Sequence, residues 1–141
     1  RQTKFFRNRV RLELLPLLEK KYNPNIKEIL TQTADNAAID YDFLAQKAKQ
    51  CLANVRRASS HKRQITLNLK KLSQLHLAMQ RLVLRQAIEE IRGTMQTITY
   101  KHLKEIETLI LYRPHGSIIN LPHRLCLKKT PTSIKLYISK A

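Results

Sequence analysis

Cysteine and glycine are scarce in this 141-residue sequence, with two residues each, and tryptophan is absent. Two cysteines are too few for a disulfide scaffold or a four-thiolate zinc site, which favours a reducing compartment. The glycines, Gly93 and Gly116, are isolated, so the sequence has no glycine-rich loop to hold a nucleotide phosphate. These absences exclude small secreted scaffolds, zinc modules and enzymes built on such a loop.

Long apolar runs are also missing. No stretch approaches the roughly 20 residues that a membrane-spanning helix needs, and residues 1–4 do not lead into the apolar stretch of a signal peptide. The sequence also lacks an initiating Met and opens inside a basic helical pattern. We therefore expect a piece of a longer chain, with no membrane as its partner.

Acidic residues are few, with 10 Asp and Glu against 27 Lys and Arg, which gives a formal charge of +17. A compact chain with this charge repels itself, and a polyanionic partner relieves the repulsion. Because 43% of the residues are hydrophobic, the chain can bury a core and is not a disordered basic tail. The excess of positive charge lies in the segments before and after residues 31–58, and residues 31–58 themselves are nearly neutral. We expect nucleic acid as the partner, held along an extended phosphate track.

The first apolar residues repeat at helical spacing, which predicts a helix with one buried face. That face comprises Phe6, Val10, Leu14 and Leu17. A basic ridge lies beside it and comprises Lys4, Arg7 and Arg11. Pro16 has no N–H to give the carbonyl of Leu12, so we expect the helix to kink there or to restart with Pro16 in its first turn.

Three longer stretches predict further helices. Apolar residues recur every three to four positions from Ile26 to Val55 without a Gly or Pro, which predicts one long helix. Residues 56–63 have no period and predict a basic loop. Ser73 is a suitable N-cap for a helix that Gly93 ends, and Thr99 can cap a last helix that stops before Pro114.

Alternating apolar residues predict the strands. One short strand is expected near residues 65–69, and three more follow Ser117 as an antiparallel meander with turns at Pro122 and Pro131. The predicted fold class is therefore α+β and mainly helical, a long-helix bundle with a small antiparallel β-sheet at its C-terminal end.

Residues able to carry catalysis are scattered. Glu89 and Glu90 are adjacent and point about 100° apart on a helix, so they make poor paired carboxylates. No two of the five histidines have metal-ligand spacing. Cys51 falls on the apolar stripe of the long helix and is expected in the core, whereas Cys126 is expected to face away from the apolar side of its strand, where it can be exposed. We assign no catalytic residue, no metal and no cofactor to this chain.

Three segments carry a family resemblance. The first, residues 6–18, contains the order Arg-Asn-x-Val-Arg-x-x-Leu-Leu-Pro-x-Leu and is followed by Asn23-Pro24-Asn25-Ile26. The others are Leu75–Arg85 and Gly116–Pro122. In these segments the chain resembles the tRNA(Ile)-lysidine synthetase family, and the likeness is strongest at the start.

The resemblance implies that residues 1–22 correspond to the end of a catalytic domain and residues 23–141 to a helical tRNA-binding domain that ends in a β-meander. Members of the family use ATP to attach lysine to the wobble cytidine of an isoleucine tRNA, so tRNA is the implied partner. Their ATP site uses a Ser-Gly-Gly-x-Asp-Ser motif, which this sequence lacks. We expect ATP and magnesium in a catalytic domain outside this chain, and no ligase activity from the chain alone.

The same resemblance implies a bacterial cytoplasm or a plastid stroma as the location, and it leaves a homodimer open. The sequence departs from the family at two places. Leu12 stands where a His is common, and His123-Arg124 stand where a Gly pair is common, which puts the geometry of that turn in question.

Twelve residues are expected to contact tRNA: Arg7, Asn8, Arg9, Arg11, Arg56, Arg57, Lys62, Arg63, Arg81, Arg85, Lys128 and Lys129. Arg7 and Arg11 lie one helical turn apart, where two guanidinium forks can grip phosphates or a carboxylate. The structural alternative is that Asn8 bonds to the chain end and the arginines pair with acids. For the chain as a whole, the alternative is a stand-alone basic RNA- or DNA-binding module of ribosomal-protein type.

Overall fold

The structure is a computed structural model that describes residues 5–58 and 63–139. Its helical segments are α1 (Phe6–Arg9), a π-helical segment (Val10–Leu14), α2 (Leu15–Lys21), α3 (Ile26–Val55), α4 (Leu69–Ser73), α5 (Leu77–Arg92) and α6 (Tyr100–Leu111). Its strands are β1 (Arg56–Arg57), β2 (Gln64–Asn68), β3 (Ile118–Leu121), β4 (Leu125–Lys129) and β5 (Ser133–Ile138). The predicted class, α+β and mainly helical, is confirmed. The chain divides into an N-terminal unit, Arg1–Phe43, and a C-terminal unit, Leu44–Ala141, whereas the predicted domain boundary after residue 22 stays a prediction.

Pro16 shapes the opening helix of the N-terminal unit. The N–H of Leu15 donates to the carbonyl of Val10, five residues back, which makes the turn before the proline π-helical. An α-helix then restarts with Pro16 in its first turn, where its missing N–H costs nothing. The predicted restart is confirmed.

The predicted buried face of this helix is wrong. Phe6 is 78% exposed and Leu17 is 43% exposed, and these residues line an open groove together with Arg9 and Glu13. None of residues 5–43 is buried. A unit of this size has too little apolar surface to enclose a core of its own.

The long helix is confirmed, because α3 runs from Ile26 to Val55 without a break. Its part in the C-terminal unit places Ala48, Leu52 and Val55 in the core, and Cys51 packs against that core as expected. The apolar positions of its first half, including Ile29 and Leu30, are exposed.

The C-terminal unit contains one antiparallel five-stranded sheet in the order β1-β2-β5-β4-β3. The three strands after Ser117 form the predicted meander, and β2 joins them by pairing with β5, which makes β5 the central strand. Leu67, Leu127 and Leu136 point from one face of the sheet into the core that α5 and α6 cover. We call this the inner face.

Two expectations about loops and caps are wrong. Arg56 and Arg57 pair with β2 as a short strand, although they were expected in a loop; residues 59–62 of that loop lie outside the described part of the chain. Ser73 ends α4 and does not cap α5. The cap is His76, whose Nδ1 accepts the N–H of Ala78 at 3.3 Å. Gly93 ends α5 at a φ of +76° as expected.

Cys126 faces away from the core as predicted, but it is buried, although the sequence left its exposure open. Only 5% of its surface is exposed, and its Sγ donates to Oδ1 of Asn120 on the neighbouring strand at 3.2 Å. The side chain does face away from the core, as the strand period requires, but its neighbours across the strands cover it.

Candidate nucleic-acid interface

The C-terminal unit carries most of the charge imbalance. Residues 44–141 contain 19 of the 27 Lys and Arg but only 4 of the 10 Asp and Glu. All four acids lie in α5 and α6, and no strand contains one: Glu89, Glu90, Glu105 and Glu107. Negative charge in this unit is therefore confined to the helices that cover the inner face.

Three of these acids bind basic residues. Arg56 donates to Glu90 at 2.6 Å, Arg113 donates to Glu105 at 3.5 Å, and Arg81 donates to Glu107 at 2.5 Å. The first pair joins β1 to α5, the second joins the middle of α6 to the turn after it, and the third joins α5 to α6, so these ion pairs tie the helices to their neighbours. Arg56 and Arg81, both expected to contact tRNA, are engaged within the protein.

Glu107 is the most enclosed of these carboxylates. Its side chain is 9% exposed and also accepts a hydrogen bond from Lys104 at 2.8 Å. The hydrogen bond from Arg81 is the main cause that lowers the pKa of Glu107, and the bond from Lys104 adds to it against the effect of burial. The guanidinium of Arg81 also lies 5.8 Å from the ring centre of Tyr100. This cluster of charged side chains links α5 to α6 through the ion pair between Arg81 and Glu107.

Lys129 is not on the surface, although it was expected to contact tRNA. It is 7% exposed, and its Nζ donates to the carbonyl of Ile110 at 2.7 Å and to that of Arg113 at 2.8 Å. These carbonyls belong to the carboxyl end of α6 and the turn after it, where a positive charge is favourable. Lys129 is therefore a cap for α6 and cannot reach a phosphate.

The remaining basic residues of the sheet point away from the core. The strand register aligns five residues across the sheet: Arg57, Thr66, Lys135, Lys128 and Ile118. Because side chains alternate along a strand, these residues lie on the face opposite Leu67 and Leu136. We call this the outer face. Its three cations have no acidic neighbour on the sheet, since no strand contains Asp or Glu.

Lys128 and Lys135 are direct cross-strand partners on the outer face. Like charges opposite each other on neighbouring strands destabilise a sheet. Neither lysine forms an ion pair among the described residues. An anion between or above the two ammonium groups would relieve this repulsion.

A groove of about 610 Å³ lies beside Lys135 of this pair. It is lined in part by Arg57, Thr66, Ser133 and Lys135, with further polar groups from the turn between β4 and β5. Nη1 of Arg57 donates to Oγ1 of Thr132 at 3.1 Å, which holds the guanidinium beside the groove. The groove combines positive charge with hydroxyl donors, as phosphate contacts require.

A second row of the outer face is polar and uncharged. It consists of Asn120, Cys126, Tyr137 and Gln64, which the register aligns next to the basic row. Burial raises the pKa of Tyr137, and Cys126 adds a smaller effect of the same sign. The phenol therefore keeps its proton at neutral pH and can donate a hydrogen bond.

The sequence prediction missed Lys135, Thr66 and Tyr137 in this interface. Each lies at an alternate position of its strand, so the period-two pattern could have placed them on the polar face. What the pattern did not contain was the pairing of β2 with β5, which brings Thr66 and Arg57 into line with Lys135.

The residues expected from the opening segment lie in the N-terminal unit. Arg9 forms an exposed ion pair with Glu13 at 3.9 Å. Arg7 and Arg11 are exposed and form no ion pair with any described residue, and Asn8 is half-buried in α1.

Three expected residues remain in the C-terminal unit. Arg85 is half-buried on α5 without an ion pair among the described residues. Arg63 lines a separate pocket beside the end of α5. Lys62 lies outside the described residues.

Within residues 5–58 and 63–139 no three His, Cys, Asp or Glu side chains come together as metal ligands. The same part of the chain has no helix with the length and apolar character of a membrane span.

Comparisons with known proteins agree on one family. The family model described as the TilS substrate binding domain matches residues 67–126. The chain is similar to the tRNA(Ile)-lysidine synthase of Dehalococcoides mccartyi, at 32% identity over 87% of this chain and 25% of the relative. It is also similar to the tRNA(Ile)-lysidine synthase of Streptomyces coelicolor, at 33% identity over 89% of this chain and 34% of the relative. The chloroplastic tRNA(Ile)-lysidine synthase of Gracilaria tenuistipitata is similar at 33% identity over 56% of this chain and 23% of the relative. The chain thus spans about a quarter to a third of the length of these relatives.

Proposed function

We propose that this chain, which belongs to the tRNA(Ile)-lysidine synthetase family as its sequence predicts, binds the sugar-phosphate backbone of tRNA on the outer face of its sheet. The observation that carries the proposal is the unpaired cross-strand couple Lys128 and Lys135, aligned with Arg57 on a face without acids. An RNA backbone supplies the anions that this arrangement needs.

Backbone recognition suits the chemistry of this face better than base recognition. Proteins that stack bases use several aromatic side chains in sequence, and Tyr137 is the one aromatic residue in the two outer-face rows. Lysine is a flexible point charge, which suits phosphates more than the edges of bases. The face therefore positions tRNA by charge and shape.

We further propose that the longer protein attaches lysine to the wobble cytidine of an isoleucine tRNA with ATP. The nucleotide and magnesium would be held outside this chain, so the chain alone would show no ligase activity. The family resemblance implies a role near the reacting groups for Arg7, Asn8 and Arg11, and Arg7 and Arg11 are available for it because they are exposed and free of ion pairs among the described residues.

Binding of a fluorescent isoleucine tRNA to the chain tests the interface. The double variant Lys128→Gln/Lys135→Gln removes two charges from the outer face, and Lys70→Gln/Lys101→Gln removes two charges from exposed positions on α4 and α6. We expect the first to weaken tRNA binding roughly tenfold at about 0.1 M salt and the second to weaken it about twofold. Equal losses would refute the outer face as the interface.

A structured RNA hairpin of equal length separates this function from a general RNA-binding module. A tRNA-holding domain should prefer tRNA, whereas a ribosomal-type module without tRNA preference should bind both alike. The chain's match to the TilS family supports the first outcome.

A further inference from the structure

The turn between β3 and β4 has an unusual backbone. His123 has a φ of +60° and Arg124 a φ of +62°, and Thr97, in the segment between α5 and α6, has a φ of +71°. These are the left-handed non-glycine residues among those described. Glycine adopts this conformation without a penalty, so the side chains at these positions need a compensating role.

Two of these three residues line the same pocket. His123 and Thr97 meet there with Arg63, Arg92 and Thr94 around a volume of about 470 Å³. No acidic residue is among the described residues that line the pocket. The unfavourable backbone thus brings an imidazole and a hydroxyl to a pocket that already contains two guanidinium groups.

Arg92 is held rigidly at this pocket. Its Nη2 donates to the carbonyl of Gln96 at 3.2 Å and to Oγ1 of Thr97 at 3.3 Å. Its Nη1 is buried and has no hydrogen-bond partner among the described residues. No ion pair with a described carboxylate offsets its charge.

Both threonines have a hydroxyl hydrogen to donate. Oγ1 of Thr97 accepts from Arg92, and Oγ1 of Thr94 accepts from the N–H of Gln96 at 3.1 Å. Since a hydroxyl that accepts can still donate, each can give its hydrogen to an anion in the pocket. Neither hydroxyl hydrogen has an acceptor among the described residues.

One feature opposes an anion here. The pocket lies at the carboxyl end of α5, where the helix dipole places a partial charge of about −0.5. Arg63 and Arg92 carry two full positive charges at the same place. The net field therefore favours a negative ligand.

We propose that this pocket is a phosphate-binding site, formed by Arg63, Arg92, Thr94, Thr97 and His123. Two guanidiniums, two hydroxyls and an imidazole supply the several convergent donors that a tetrahedral oxyanion accepts. The phosphate belongs either to an RNA backbone or to free inorganic phosphate. The inference stands on the pocket alone and does not require the outer face to bind tRNA.

The variant His123→Gly separates ligand binding from folding. Glycine removes the imidazole and relieves the left-handed backbone, so this variant should unfold at a higher temperature than the parent chain. We expect inorganic phosphate to shift the backbone amide resonances of Thr94 and Thr97 in the parent chain. In His123→Gly the same shifts should need at least fivefold more phosphate. His115→Gly, an exposed histidine in another turn, should leave the phosphate response unchanged.

Three results would overturn the site: equal shifts from chloride at matched ionic strength, an unchanged phosphate affinity in His123→Gly, or an equal loss in His115→Gly. A tRNA titration identifies the source of the phosphate. If His123→Gly weakens tRNA binding as well as phosphate binding, the site takes a backbone phosphate; if it weakens phosphate binding alone, the site takes the free ion. The variant Lys128→Gln/Lys135→Gln should keep the phosphate response even if it loses tRNA.

Discussion

Replacing Lys135 by glutamine should stabilise the free protein while weakening its binding to tRNA. Lys135 on β5 is directly opposite Lys128 on the neighbouring strand β4. Arg57 on β1 lies in the same row, two strands from Lys135 on its other side. At about 7 Å in water, two ammonium groups repel each other by about 0.6 kcal/mol, and a cation at about 10 Å adds about 0.4 kcal/mol. Removing one charge therefore relieves about 1 kcal/mol at low salt.

Salt should erase most of this gain. The Debye length is about 30 Å at 0.01 M and about 8 Å at 0.15 M, so the repulsion between partly exposed side chains is screened at the higher salt. The expected gain in unfolding free energy from Lys135→Gln is thus about 1 kcal/mol at 0.01 M salt and a few tenths at 0.15 M. Urea unfolding of the parent chain and the variant at both concentrations measures it.

The control is Lys49→Gln, which removes one exposed charge from the interior of α3, away from the helix ends, and has no cross-strand neighbour. It should change the unfolding free energy by less than half as much at 0.01 M salt. The reasoning is wrong if Lys135→Gln destabilises the chain at low salt, or if its effect does not shrink as salt is added. Either result would mean that Lys135 is satisfied inside the free protein.

The other predictions concern the salt response, two buried charges and the opening helix. If six phosphates are neutralised, log K for tRNA should fall against log salt with a slope of about −4 to −5, and the double glutamine variant of the outer face should reduce its magnitude by about 1.5. Glu107→Gln should lower the unfolding midpoint at pH 7, because the pKa of Glu107 is lowered in the folded state. The stabilisation by the Glu107 carboxylate is complete above the unfolded pKa near 4.5 and is lost as pH falls through the folded pKa. The difference in unfolding midpoint between the parent chain and the variant should therefore shrink as the pH is lowered through this range. Lys129→Met should cost about 2 kcal/mol in urea unfolding, since two carbonyls at the end of α6 lose their donor, with unchanged tRNA affinity of the folded protein. In the longer protein, Arg7→Ala and Arg11→Ala should lower turnover more than their loss of tRNA affinity explains, whereas Lys128→Ala should lower tRNA affinity alone. If steady-state kinetics show the same loss of tRNA affinity and no further loss of turnover in all three variants, the opening helix is ordinary basic surface.

The elements that the sequence predicts well are those with a long local period. The apolar spacing from Ile26 to Val55 defines α3 to the residue, and the alternation after Ser117 gives the meander. Gly93 marks the end of α5 because its left-handed backbone is a local property. The prediction that Ser73 caps α5 was wrong because Ser73 is the last residue of the short helix α4. That helix is too short to show an apolar period in the sequence.

The outer face depends on pairing between distant segments, and local patterns do not contain it. Arg57 becomes part of a strand only because β2 lies beside it, and Lys135 meets Lys128 only in the register of β4 with β5. Lys129 differs from its neighbour Lys128 by one position, yet that position turns it inward under the end of α6. The count of charged residues along the sequence therefore identified the basic segments, but it did not show which of their side chains are exposed to a ligand.

The central position of β5 bears on how the protein is made. Residues 64–68 pair with residues 133–137, so these partners lie 65 to 73 positions apart in the chain. At about 5 to 20 residues per second, a ribosome needs roughly 3 to 14 s to synthesise the intervening stretch. During that time β2 and the β3–β4 hairpin both expose unpaired edges, which are the usual starting points for aggregation. Lysines on strand edges oppose such contacts, so we expect Lys128, on the edge that β4 exposes before β5 is made, to hinder pairing with neighbouring nascent chains.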